Sequence, residues 1–262
     1  MKNLVYIVCC YISFSTIYGQ DFTKIDSLKQ VIATSTNDTV LAKSYERLAV
    51  AFYPNAFDSV LYYGDKTIDF VHRLNGKDTS VVKVCLQSEA NIYNVKGNVC
   101  YMSGDVLKAL ENYHKGLEVN KRLNNLQAQA SLMSNLGALY NSLGDLERSL
   151  EYNHKSLQIR EKLKVPHDIA ISLNNLGAIY SSQKEYHSAY IFYERSLRIR
   201  DSLGDKKGVS SVYNNLGILK KEENKQEEAL AYYLKGLAID KEISNKDGIV
   251  ISLINKFGIT LV

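Results

Sequence analysis

Asn-Leu-Gly occurs at Asn135, Asn175 and Asn215, forty residues apart each time. Laying residues 137–176 over 177–216 gives twelve identities in forty, where composition alone gives about two or three. The same spacing runs back to Gly97 and forward through Gly217. Beyond it, Ile254, Phe257, Gly258 and Leu261 restore the pattern at forty-one, a slip of one residue. Self-similarity at such a period marks a stack of equivalent units, each burying its apolar face only against its neighbours.

Within one unit the apolar spacing is helical. Leu132, Leu136, Leu139, Tyr140 and Leu143 form one stripe, and Leu146, Leu150, Leu157, Ile159 and Leu163 a second. Gly144 between them ends the first helix and Asp145 caps the next, which predicts an antiparallel pair. Small residues recur where the pair must approach closely: Gly97, Gly137, Gly177 and Gly217 on first helices, Ala109, Ser149, Ala189 and Ala229 on second helices. A glycine inside a helix costs about 1 kcal/mol relative to alanine, so close packing is the expected compensation. Tyr113, Tyr152, Phe192, Tyr193, Tyr232 and Tyr233 fill the space between the helices. Only two prolines occur in 262 residues, which suits long helices with few hard stops.

Asn-Leu-Gly-x-x-Tyr, then Gly-Asp, Ala/Ser, an aromatic and Ser/Gly-Leu resembles the tetratricopeptide repeat, over residues 39–262. The resemblance implies an all-α fold, a right-handed α-solenoid of antiparallel helix pairs. The common form has thirty-four residues and a closing proline. A period of forty without that proline is similar to the long-repeat subclass of kinesin light chains and spindle-orientation adaptors. Among bacterial proteins it is similar to the exported N-terminal arrays of some sensor kinases and transcriptional regulators. Three positions depart from the pattern: Lys220 stands in the column of Tyr140 and Tyr180, and Lys184 and Asn224 replace the turn glycine. Looser packing of the fifth unit is expected there.

Upstream, Leu41–Phe52 and Val60–Leu74 read as one more helix pair about a Tyr53–Asn55 turn, followed by a long helix over about 78–103. Residues 20–38 read as a partly ordered lead-in. Residues 1–19 read as a signal peptide, with Lys2 as positive start, Leu4 to Phe14 as apolar core and Ser15 to Gly19 as cleavage site. An uncleaved anchor and a lipid-modified Cys9 are the alternatives. An exported, periplasmic or extracytoplasmic protein follows, with no membrane insertion after cleavage. The array of about five pairs ends in an incomplete unit, as if cut short. Phe257, Ile259, Leu261 and Val262 then form an uncovered stripe, through which self-association at the C-terminal end is expected.

Charge and motifs exclude most chemistry. The net charge of +4 is spread along the chain with no Lys/Arg block, so a solvated surface is expected and no nucleic acid. Cys85 and Cys100 on one helix stand about 22 Å apart, too far to bridge. His114 and His154 share a column but read as surface histidines, and His72, His167 and His187 have no partner spacing. Asp105, Asp145 and Glu185 fall at helix starts, where capping explains them. No phosphate loop, metal motif or nucleophile elbow occurs, so no enzyme, cofactor or metal is expected. A basic column of Lys115, Lys155, Arg195 and Lys235 on second helices suits either plain solvation or an acidic partner.

First helices of such arrays line a concave groove. Opposite the Leu/Tyr stripe lie Asn94, Ser134, Asn174, Asn214 and, after the slip, Asn255; Asn98, Ala138, Ala178 and Ile218 follow one turn on, and then Asn141. In the kinesin-light-chain-like subclass, matching asparagines hold the backbone of an extended peptide, and a carboxamide offers donor and acceptor for that task. The expectation is a non-enzymatic scaffold that holds a protein or peptide ligand on Asn94, Asn98, Ser134, Asn141, Asn174, Asn214 and Asn255. The alternatives are a merely solvated polar face, and the exported sensory region of a truncated receptor.

Overall fold

The computed structural model describes residues 23–53, 55–74 and 79–260. Among them every regular element is a helix: α1 over 23–34, α2 Asp38–Phe52, α3 Phe57–Arg73, α4 Thr79–Met102, α5 Val106–Arg122, α6 Leu126–Ser142, α7 Leu146–Leu163, α8 Pro166–Ser182, α9 Tyr186–Ser202, α10 Lys206–Glu222, α11 Gln226–Glu242 and α12 Lys246–Thr260. The chain is an all-α helical-repeat solenoid. It divides into two compact units, one closing at Ala128 and the other opening at Gln129. The proposed signal peptide, Pro54 of the first turn, and the side chains of Phe257, Ile259, Leu261 and Val262 lie outside the described residues. The lead-in contains α1, whose Ile25 is buried.

The repeat keeps strict time. Helices α6, α8, α10 and α12 begin at Leu126, Pro166, Lys206 and Lys246, forty apart throughout. The expected slip of one residue is therefore corrected. Its physical reason is the turn: Val165 N–H donates to the Arg160 carbonyl, Asp205 N–H to Arg200 and Asn245 N–H to Asp240, so every second helix ends the same way. Ile254 consequently stands in the column of Asn174 and Asn214, where it is 64% exposed.

Left-handed backbone closes α4 to α11 at the same repeat position. It falls on Gly104, Gly144, Lys184 and Asn224 after first helices, and on Asn124, Lys164, Gly204 and Ser244 after second helices. Lys184 and Asn224 thus take the conformation of the glycines they replace, with φ of 61° and 62°. The closing six-residue hydrogen bond, as from Glu185 N–H to Tyr180, selects this geometry whatever the side chain.

Packing inside a pair follows the small-residue columns. In the first unit the bare Cα of Gly97 lies against the ring of Tyr113. In the second unit Gly177 faces Tyr193 and Gly217 faces Tyr233, while Gly137 faces Asn153, the one non-aromatic member of its column. Ala109, Ser149, Ala189 and Ala229 are all fully buried. Hydroxyls bond across the pairs: Ser156 Oγ donates to the Ala130 carbonyl and Ser196 Oγ to Ala170, each at 2.7 Å. Gly236 holds the corresponding place in α11, and the bond is made from the other helix, by Ser210 Oγ to the Gly236 carbonyl at 3.1 Å. Leu143, assigned to the first stripe, lies beyond the end of α6 and is exposed, because the chain has already turned there.

A buried polar column runs at the same spacing: Asn120, Arg160, Arg200 and Asp240. Within the second unit it ties each second helix to the next first helix. Arg160 donates to Ser172 Oγ at 2.7 Å, Arg200 to Asp205 at 2.6 Å, and Asp240 accepts from Asn245 Nδ2 at 2.7 Å. Arginine–aspartate in one repeat becomes aspartate–asparagine in the next.

The rings set an alkaline limit. Burial pushes the phenols of Tyr113 and Tyr233 up to about 12 from an ordinary 10.0. The folded state holds these protons more tightly, so the stability they contribute is present below pH 10 and lost as pH rises through about 12. Far-ultraviolet circular dichroism should fall over that window, together with the late part of the tyrosinate absorbance. Full tyrosine ionisation near pH 10 with intact helices would contradict this packing.

Candidate functional site

The seven groove residues do not share one environment. In the first unit Asn94 is half-buried, and Asn98 accepts a 2.8 Å bond from the Tyr113 hydroxyl. In the second unit the amides mostly hold neighbouring first helices to one another. Asn175 Nδ2 donates to Ser134 Oγ at 3.2 Å, and Asn215 Nδ2 donates to Asn174 Oδ1 at 2.9 Å. Asn214 is 7% exposed. It donates to the Ser210 carbonyl and to Ser252 Oγ, and accepts from that same hydroxyl.

This corrects the expectation that Ser134 and Asn214 point freely into a groove: both are buried. Asn175 and Asn215, with their partners in the adjoining column, act together as an inter-repeat ladder, for which a first helix needs one amide beside another. Asn174 stays half-buried with one amide face engaged, and Asn141 and Asn255 are also half-buried. What this face does present is the next column, Ala138, Ala178 and Ile218, all exposed. Between α10 and α12 it deepens into a cavity of about 280 Å3, lined by Ile218, Ile251 and Asn255 among others.

Other candidates fall into structural places. His154 is half-buried, packing edge-on to Tyr180 and Phe192 at centroid distances of 6.4 and 6.1 Å. His114 is also half-buried, and burial lowers the pKa of both imidazoles below the ordinary 6.5. The surface reading of these two is corrected, since each is half-buried on its second helix. His72 has a partner that spacing did not reveal, the buried Glu89 carboxylate at 3.0 Å. His167 lies 3.5 Å from Asp168. Asp105 and Asp145 cap their helices through Lys108 N–H and Arg148 N–H. Glu185 makes no cap bond; its carboxylate stands one methylene further from the backbone.

The basic column is largely neutralised at home. Lys115 pairs with Glu111, Lys155 with Glu151 and Arg195 with Glu161, and Lys235 lies over the rings of Tyr213 and Tyr232. At Lys220 the ring stack of earlier repeats is lost. Tyr140 stacks on Tyr152 and Tyr180 on Phe192, whereas Tyr232 turns to Tyr213. Lys220 is only 9% exposed. It pairs with Glu223 at 3.2 Å and lies over Tyr190, beside an open cleft of about 710 Å3. Among the described residues no group of three or more His, Cys, Asp or Glu is placed to hold a metal ion, and no helix is long and apolar enough to cross a membrane.

Known proteins carry the same fold. BtubC (BKLC) from P. vanneervenii is similar at 19% identity over 86% of this chain and 90% of its own, with a TM-score of 0.67. A Signal Transduction ATPase with Numerous Domains (STAND) protein with a tetratricopeptide repeat sensor, from Pyrococcus horikoshii, is similar at 16% identity over 93% of this chain and 40% of its own, with a TM-score of 0.69. A Rap protein complexed with Competence and Sporulation Factor is similar at 14% identity over 92% of this chain and 71% of its own, with a TM-score of 0.59. No curated protein matches the sequence. The tetratricopeptide repeat family model matches residues 88–162 and 168–242, which together make up more than half of the sequence. With helix pairs, small-residue columns and left-handed turns all recurring at forty residues, the chain belongs to the tetratricopeptide repeat family.

Proposed function

We propose that this protein is a non-enzymatic scaffold that holds a protein or peptide segment along the first-helix face of its second unit. The observation that carries the reading is the exposed column Ala138, Ala178 and Ile218, one small or apolar residue per repeat, flanked by the half-buried amides of Asn141, Asn174 and Asn255. Such a face admits a backbone closely and offers it donors and acceptors without demanding charge. In support, one protein of this fold forms a complex with Competence and Sporulation Factor. A second reading keeps the same face but makes it the sensory region of a larger signalling protein, as the repeats are in the STAND protein.

Both readings need that face. On an array of extended peptides, Ala178→Glu should abolish capture, because a charged side chain would stand where the ligand backbone must approach. The pair Asn141→Ala and Asn255→Ala should weaken capture about 5- to 150-fold, at about 0.5–1.5 kcal/mol per lost hydrogen bond. Helix content should stay unchanged in both variants, since none of the three residues is buried. Capture that survives Ala178→Glu would rule this face out. Asn214→Ala is unsuitable as a binding probe, because it breaks the inter-repeat ladder.

A further inference from the structure

Resting on that reading, we infer that the cavity between α10 and α12 takes the side chain of a lysine or arginine from the bound segment. Three observations converge there.

The first is shape and polarity. The cavity of about 280 Å3 has apolar walls at Ile218 and Ile251, and its lining includes Asp240 and Asp247. A basic side chain has the same layout, a long aliphatic stem carrying a cationic head.

The second is the buried carboxylate. Asp240 is fully buried, and its hydrogen bonds come from neutral donors: Ser210 Oγ at 2.6 Å, Asn245 Nδ2 at 2.7 Å and Ser252 Oγ at 3.4 Å. Among the described residues no Lys, Arg or His forms an ion pair with it within 4.0 Å. These donors satisfy the carboxylate without cancelling its charge, which burial leaves poorly screened by solvent beside the adjoining space.

The third is the reversal of sign along the column. Arg160 and Arg200 hold the equivalent places in the two preceding repeats, so the aspartate is particular to this cavity. Gly248 makes the arrangement sterically feasible, since a methyl group there would overlap the Asp240 carboxyl. The lining also carries exposed Asp247 and Lys207, whose opposite charges offset, which leaves Asp240 to set the balance. The head of a bound side chain would meet Asp247 directly and Asp240 through its shell of neutral donors.

A positional-scanning peptide array, probed with the full chain, tests this. At one register Lys and Arg should be enriched about tenfold over norleucine and more over glutamate, and added salt should reduce the enrichment. Asp247→Asn, on the exposed rim, should lower it several-fold without loss of helix content, and Asp240→Asn should remove the rest. If Asp240→Asn does not fold, Asp247→Asn and the salt dependence still decide. Capture of peptides with no basic preference, or a preference untouched by Asp247→Asn and by salt, overturns the inference while leaving the scaffold reading in place. Capture of no peptide at all overturns both.

Discussion

Leu176→Ala is expected to lower the stability of the protein by about 2–5 kcal/mol. Leu176 sits in α8 with no exposed surface, in one cluster with Leu157 and Leu173, and Ile169, Tyr180 and Phe192 pack around them. Removing three carbons from this position forfeits their transfer free energy and leaves a cavity that rigid helices on several sides cannot close. The residue belongs to a unit with neighbours before and after it, so the loss should spread to the adjoining repeats. Thermal and urea unfolding monitored by circular dichroism would measure it. Lys155→Ala is the matched control. That side chain is exposed, paired with Glu151 and lying over the Tyr152 ring, so its loss should stay within about 0.5 kcal/mol. Equal melting temperatures for the two variants would refute the packing register.

Gly177→Ala should also destabilise, by about 1–3 kcal/mol, although alanine is the better helix former by about 1 kcal/mol. A Cβ at this position would lie 2.7 Å from Cδ1 and Cε1 of Tyr193. That ring is buried in the cluster of Ala189, Val212, Leu216 and Leu219, so it cannot swing aside. The two opposing effects make the sign informative. A more stable Gly177→Ala protein would mean that α8 and α9 are further apart than described. In a double-mutant cycle with Tyr193→Leu, the cost of the added methyl should shrink, because the ring edge that it meets has gone.

Much of the architecture is legible in the amino-acid pattern. The spacing of leucines and tyrosines places the helices, and the Gly and Ala/Ser columns identify the faces that meet. The long helix expected over about 78–103 corresponds to α4, Thr79–Met102. Apolar pattern misleads near the end of the array, where Ile254, Phe257 and Gly258 suggested a slip. Side-chain pattern is a weaker ruler than turn geometry, because an exposed isoleucine costs little and a broken turn costs a hydrogen-bonded helix end. The polar column of Asn120, Arg160, Arg200 and Asp240 was visible in principle, since its members are forty residues apart. Its residue types differ, however, and a reversal of charge conceals an equivalent position in the repeat. The His72–Glu89 pair left no such trace, since it joins two helices of unlike length.

The candidate site divides along the same line. Period and helical rotation are properties of the chain itself, so the sequence alone determined that asparagines fall on the first-helix face at one place per repeat. Whether each amide meets a ligand or a neighbour is a matter of a few tenths of a turn and of what stands opposite. Asn174 meets Asn215 and keeps part of its surface, whereas Asn214, in the same column, finds the Ser252 hydroxyl and is buried. Only the tertiary structure decides that, because a buried amide is stabilised by the partner that another helix brings to it, and that partner lies 38 residues further along the chain.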